Sequence, residues 1–589
     1  MGRRFWLIVS LLSLLAATPR AQDALTSKQR IADLEQLASQ YAKNYAPYEW
    51  KRDVIGFDLL RLTPWLQRVQ HSDDLDFQEA LIEYVSSLND AHDTIAFPTT
   101  FFVSLPMSLD IYDGKVLIDA ISRTALPSAQ FPFGIGDELL SLDGTPVQQL
   151  IEQFRKYSIS ANQRSTDRIA ASRIVARSQQ IMPHIPEIGD TATIVVRFAS
   201  TGVTGAYVIP WRKSGIPITS QGPVASPRRG NGRIFLSTDP EGPGASGGAA
   251  PTLLTFQVAE RTPVDDTLPD YMEPIHPLLN ASVSRDYHTV LGFGARNPIY
   301  APPPGFVQRL GTQPTDFFYS GTFNAGGLRI GLIRIPSMSP SIGVTTALQQ
   351  LDAEIAFFNL NTDALVVDVM RNPGGLVSFV EAISQRFIPT QVQLLGFQIR
   401  ATGAWLFSFA SQLNAARNSG QPPQIIQNLE NNFNEVLRAF NENRGLSAPV
   451  SLNATGSLTI ASVPFAYNQP LIVLTDEFSA SGGDAFPAII QDNHRGPIVG
   501  MRTMGAGGSV VGIPGTSYTE SITRYTASLM HRGRLIQTPD FPPAPYIENI
   551  GVRPDIVVDY MTRANLMSGG APFRTAFTQA IINHALSSQ

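Results

Sequence analysis

At 589 residues the chain exceeds what one hydrophobic core can organise, and its length predicts roughly three or four domains. Its 43% hydrophobic and 16% charged residues describe a folded chain, and a net charge of −5 without any basic tract argues against nucleic acid as a main partner. The absence of cysteine excludes disulfides, thiolate metal ligands and a cysteine nucleophile.

The N-terminus places Arg3 and Arg4 before the apolar run Phe5–Ala17 and a small-residue exit at Thr18–Ala21. A basic, then apolar, then small-residue order describes a secretory signal peptide over 1–21. The run is well short of the roughly 20 residues of a membrane span, although an uncleaved anchor has the same outline. Cleavage near Ala21 removes three arginines and no acid, moving the charge from −5 to −8. The expectation is an exported protein, periplasmic or extracellular, with no membrane span after cleavage.

Residues 22–97 read as an N-terminal helical segment. Phe77, Leu81, Tyr84, Val85 and Leu88 recur at helical spacing, and the helix is expected to end near Asn89-Asp90, just before His92. Residues 98–213 alternate in short strands, with hairpin turns at Asp113-Gly114 and Asp143-Gly144 and a helical interruption over 148–180. A Pro/Gly-rich connector with short strands follows over 214–320, including the loop text PEGPGASGGAAP. Over 321–589 strands alternate with helices, which predicts an α/β domain on a parallel sheet. Asn/Gln-rich helical text breaks that rhythm at about 395–465 and reads as an insertion.

Two segments of this last region carry chemistry. In LIVLTDEFSASGGD, residues 471–484, an apolar strand enters a small-residue turn bearing Ser479 and Ser481, and a helix follows. A serine at such a junction has its hydroxyl exposed beside free helix N–H groups, which suits a nucleophile, although an ordinary capping serine has the same local text. In DVMRNPGG, residues 368–375, Gly374 and Gly375 let the backbone approach a ligand closely at a helix start. Free N–H groups there are the chemistry of an oxyanion hole.

Together these segments resemble the tail-specific or C-terminal-processing protease family, whose core is related to the crotonases and the Clp protease. The match covers about 330–390 and 470–560, including LTDEFSASGGDAFPAIIQDNHRGPIVGMRTMGAGG and YIENIGVRPDIVV. It implies Ser481 as nucleophile, with Asp484 in place of the usual glutamate, and oxyanion donors from Gly482 and from Gly374 or Gly375. It also identifies DIYDGKVLIDAI and GIGDELLSLDGTPV as a PDZ-like domain, a module that takes an extended peptide as an added strand.

Many members use a lysine 25 residues after the serine; here that position is Ala506, and the last lysine of the chain is Lys213. A local Ser-Lys dyad is excluded, since arginine stays protonated. Histidine titrates near neutrality and is the natural substitute. His494 and His531 are candidates, but His92 in SSLNDAHDT is similar to the L-x-D-x-H-T text of the tricorn-like branch, with Ala91 where that branch has a serine. The same resemblance suggests Glu548 as the carboxylate that orients the imidazole, with Asp90 and Asp93 as alternatives. The implied protein is an exported serine endopeptidase acting on polypeptides, without metal or cofactor. Ala91 and Ala506, each replacing a functional residue of the family, keep open an inactive protein that binds peptides or apolar ligands. A hydratase on the crotonase-type core fits poorly with a signal peptide.

Overall fold

The computed structural model describes residues 24–222, 293–513 and 515–588. The signal-peptide segment and the PEGPGASGGAAP loop lie outside them. Four helices open the chain: α1 (Ser27–Asn44), α2 (Tyr48–Ile55), α3 (Thr63–His71) and α4 (Asp74–Ser86). Thr26 and Gln29 cap α1 reciprocally, and α4 starts at an Asp73 side chain that accepts the Asp76 N–H. The α4 face foreseen from the heptad-like spacing is buried through Phe77, Leu81, Tyr84 and Val85. The helix ends at Ser86, and Asn89 turns the chain with φ of +48°.

A strand-rich domain follows, built on β1 (Met107–Tyr112), β2 (Lys115–Ile121), β3 (Glu138–Leu142), β4 (Thr191–Arg197) and β5 (Thr204–Pro210), paired antiparallel in that order. At both Asp-Gly turns each residue has positive φ, +49° and +74° at 113–114 and +49° and +79° at 143–144, the backbone that a two-residue hairpin needs. The helical interruption resolves into α5 (Val147–Phe154) and α6 (Gln163–Ser172).

The C-terminal half holds a seven-stranded sheet whose spatial order follows the chain: β6 (Val307–Leu310), β7 (Tyr319–Ala325), β8 (Leu328–Arg334), β9 (Ala364–Asp368), β10 (Leu471–Thr475), β11 (Ile498–Gly500) and β12 (Ile556–Val557). The first three pair antiparallel and the rest parallel. Strand β6 lies within the stretch read as connector. Strands β9 and β10 are buried at every residue, as crossover helices α7 (Val344–Asn361) and α8 (Val377–Phe387) require. The inserted text forms a helical hairpin, α9 (Gly403–Asn418) and α10 (Pro423–Asn441), closed by Leu413, Ala416 and Leu429. Helix α11 (Gly482–Asp492) leaves β10 through the serine turn, and α12 (Arg563–Met567) and α13 (Ala571–Ser587) close the chain. Among the described residues no helix is long and apolar enough to cross a membrane.

The N-terminal helices are fastened to the C-terminal half. Ile95–Ala96 adds antiparallel to the strand Ile522–Thr526, the Tyr41 hydroxyl donates to the Arg524 carbonyl at 2.8 Å, and the Ala46 N–H donates to the Thr526 carbonyl at 2.9 Å. Arg168 of α6 locks the strand-rich domain to the serine loop. It is buried between Asp110 and Glu477, 2.7 Å from each, and donates to the Tyr560 hydroxyl at 2.7 Å. Burial would raise Glu477, yet Arg168 and Arg164 hold it down at about 2.

Candidate active site

Ser481 sits where β10, after a five-residue turn, gives way to α11. Its backbone, φ +55° and ψ −111°, is one that L-residues rarely adopt, and it is buried but for 7% of its surface. The Asp484 carboxylate holds this turn: it accepts the Ser481 N–H at 2.7 Å, the Gly505 N–H at 2.9 Å and the Ala506 N–H at 3.1 Å. Burial pushes Asp484 up to about 7 against the pull of these donors and of Thr503. The shorter acid thus ties the serine turn to the segment in which lysine is replaced by Ala506.

Gly374 packs directly on the serine. A Cβ at Gly374 would lie 2.6 Å from both the Gly482 nitrogen and the Ser481 Cβ, so only glycine fits, and its φ of +91° makes the same demand. The Gly374 N–H is donated to Asn372 Oδ1 at 2.8 Å, whereas the Gly375 N–H carries no such bond among the described residues. Gly482, the first residue of α11, has no intrahelical acceptor for its N–H.

The loop after α4 supplies the histidine. Asp90 Oδ1 accepts the His92 N–H at 2.9 Å, and Asp90 Oδ2 accepts from the Tyr45 hydroxyl at 3.0 Å and the Thr526 hydroxyl at 2.9 Å. A ring nitrogen of His92 and carboxylate oxygens of Asp90 and Glu548 all lie within 4.8 Å of one another, and all three residues are buried. Asp93 points elsewhere, accepting the Thr526 N–H at 2.8 Å. His494 lies just beyond the far end of α11 from Ser481, and His531 packs edge-on to Tyr546. Burial is the main cause that lowers His92 to about 4, with Lys51 adding to it and Asp90 opposing, so the imidazole is neutral near neutral pH. Burial first, and Asp90 second, raise Glu548 above the usual carboxylate range, and the paired Lys51 ammonium pulls it back down.

Lys51 is the residue that sequence reasoning missed. It lies on α2, is fully buried, and its ammonium contacts Glu548 Oε1, Asn549 Oδ1 at 2.7 Å and the Asn89 carbonyl at 2.8 Å. Three acceptors use its three N–H donors, so it is a fixed cation rather than a base for the serine. An acid–acid–histidine triplet of this size is also compatible with a metal ion, a grouping invisible in sequence because Glu548 comes from the other end of the chain. Here the Lys51 ammonium already supplies the positive charge at Glu548.

Two links join the histidine group to the serine group. Glu548 Oε2 accepts the Gly507 N–H at 3.0 Å, next to the residues bound by Asp484. Ala91 and Ala480, which immediately precede His92 and Ser481, share one apolar cluster with Met504 and Ala506. The two replacements read as losses of function, Ala91 and Ala506, therefore form the packing that holds the two loops together.

Residues 329–558 match peptidase family S41, and residues 102–215 match a PDZ domain. A protein of Chlamydia trachomatis serovar D is 25% identical over an alignment covering 94% of this chain and 92% of that protein. A Chlamydia pneumoniae protein is 27% identical, with 92% and 87% covered. Among solved structures, mature CPAF is similar with a TM-score of 0.73 at 20% identity, covering 96% of this chain and 98% of that one. Mature CPAF complexed with lactacystin gives 0.71 at 20% identity, covering 95% and 99%. The likeness to CPAF is one of fold.

Proposed function

We propose that this chain, a serine-type peptidase by virtue of its peptidase family S41 domain, hydrolyses polypeptides through an acyl-enzyme on Ser481, with His92 as the general base. The observation that carries this is the buried meeting of the His92 imidazole with the Asp90 and Glu548 carboxylates, on a loop whose Ala91 shares an apolar cluster with Ala480 of the strained serine turn.

His92, neutral in the resting site, takes the Ser481 proton as the oxygen attacks the peptide carbonyl. The imidazolium so formed gains what the neutral ring lacks, attraction to the adjacent Glu548 and Asp90 carboxylates. Gly482 and Gly375 supply N–H groups to the oxyanion; Gly374, whose own N–H is engaged by Asn372, supplies the space. His92 then protonates the leaving amine and activates the water that releases the acyl group. The His92 group, together with the lack of any lysine after Lys213, supports the histidine-dependent, tricorn-like branch over the Ser-Lys branch. The basic, apolar and small-residue order of residues 1–21 supports action outside the cytoplasm, which sequencing the N-terminus of protein recovered from cell fractions would check.

A fluorophosphonate probe tests the mechanism. Labelling at Ser481 in the wild type, its loss in Ser481→Ala and its slowing by at least 100-fold in His92→Ala are expected. Lactacystin, the compound complexed with CPAF in a solved structure, is a second probe for the same serine. Full labelling of His92→Ala would remove His92 from the mechanism, and a wild type that never labels would favour a binding protein on this fold.

A further inference from the structure

Beside the His92 loop lies a small cleft walled by α4, the loop Ala91–Ile95, residues 156–160, the end of α6 and Met504. It flanks the proposed centre: Ala91 and Met504 line it and also belong to the apolar cluster that holds Ala480. Most of its wall is apolar, but one feature is out of place there. Arg173 is 1% exposed and lines the cleft, yet among the described residues no carboxylate is bonded to it. Its Nε donates to the Ser158 hydroxyl at 2.8 Å, and its Nη1 has no hydrogen-bond partner among the described residues.

A buried guanidinium without a counter-anion is costly, and an anionic ligand bound against it would offset that cost. Burial pulls Arg173 down to about 9, which leaves it cationic at neutral pH. Two more groups on the same wall lack partners, the Ser160 and Thr94 hydroxyls, and both can donate to an oxygen. The remaining charged groups do not compete. Lys156 is paired with Glu79 and Glu83, and Asp93, raised well above the usual carboxylate range by burial and by Asp90, is engaged by the Thr526 N–H at 2.8 Å. A cation, two spare hydroxyls and an apolar surround match a carboxylate carried on an aliphatic stem.

We infer that this cleft is the subsite at which the peptidase recognises a carboxylate of its polypeptide substrate, with Arg173 as the ionic partner and Ser160 and Thr94 as flanking donors. The inference rests on the peptidase reading of Ser481. The carboxylate belongs either to an acidic side chain or to a chain end, and both present the same chemistry to the guanidinium.

Binding to the uncleaving Ser481→Ala protein separates this from catalysis. Fluorescein-labelled peptides are compared by anisotropy, with Glu scanned to Gln at each position and with free-acid against amidated C-termini. The acid is expected to bind about 10- to 100-fold more tightly than its amide at one position. Arg173→Met should erase that difference, and Arg173→Lys should keep part of it. A preference that follows a Glu identifies an acidic-residue subsite, and one that follows the terminus identifies tail recognition; either supports the assignment. Equal binding of acid and amide peptides, or no binding of any, overturns it, as does a preference that survives in folded Arg173→Met. Should Arg173→Met fail to fold, Thr94→Val and Ser160→Ala must each weaken the acid's advantage. If the acid preference holds while the wild type never labels with fluorophosphonate, the peptidase mechanism fails and the subsite stands.

Discussion

Replacing Lys51 with methionine removes the cation of the site while keeping the length of the side chain. Both Lys51 and Glu548 have no exposed side-chain surface, so the loss leaves an acid in a dry pocket beside Asp90, with the Gly507 N–H as its remaining donor. Breaking one side of such a pair costs about 3–5 kcal/mol, and the Asn89 carbonyl and Asn549 Oδ1 lose a donor as well. Without the Lys51 ammonium, the charged neighbour that holds it down, Glu548 rises further and gives up its charge. The imidazolium then loses an anionic neighbour, and labelling by fluorophosphonate should slow about 100-fold or more. Trp50 reports the event, because its indole N–H donates to Asn549 Oδ1 at 3.1 Å. Guanidinium unfolding followed by tryptophan fluorescence should therefore show a lowered midpoint in Lys51→Met. Adding Glu548→Gln should recover much of that stability but none of the activity, since the orphaned acid is gone. A Lys51→Met protein less than about 1 kcal/mol weaker than wild type, or effects of the two changes that simply add, would refute the reasoning.

His92 gives a pH signature. Its folded value of about 4 lies below its ordinary 6.5, so the unfolded chain binds more protons between them. The stability it contributes is complete above 6.5 and is lost as the pH falls through 4, by about 3 kcal/mol, and unfolding midpoints of His92→Gln should be flatter over that window. Gly374→Ala drives a methyl to 2.6 Å from the Gly482 nitrogen; peptidase turnover should fall at least 100-fold, and a variant that keeps full activity would displace Gly374 from the site. Arg168→Met strands Asp110 without its cation and leaves Glu477 with Arg164 alone, an expected loss of about 3–5 kcal/mol, and hydrogen exchange should rise at both the strand-rich domain and the serine loop.

What could be read from the sequence was what is local. The run from apolar β10 through Ser481 into α11 is contiguous, and the Asp-Gly turns and the buried face of α4 follow from residues within a few positions of one another. The match of Glu548 to a family segment suggested an acid, but its proximity to His92 depends on how the first and last parts of the chain meet. Lys51 stayed invisible for the same reason: a search for lysine near Ser481 in sequence finds none, while the fold delivers one from α2. Ala91 and Ala506 looked like deletions of function because a sequence shows which group has gone and not what the methyl packs against. Arg173 had no signal at all, since an arginine within a polar helical stretch reads as a solvated one until its burial is seen.

The groups of the proposed site are numbered 51, 90, 92, 481 and 548, and the ribosome delivers them in that order. A half-made chain that has already emerged with its serine still lacks the acid that faces the imidazole, and its Lys51 has nothing to neutralise. On the proposed mechanism, translation products that end before residue 548 would be inert, so the act of finishing the chain would itself serve as a safety catch.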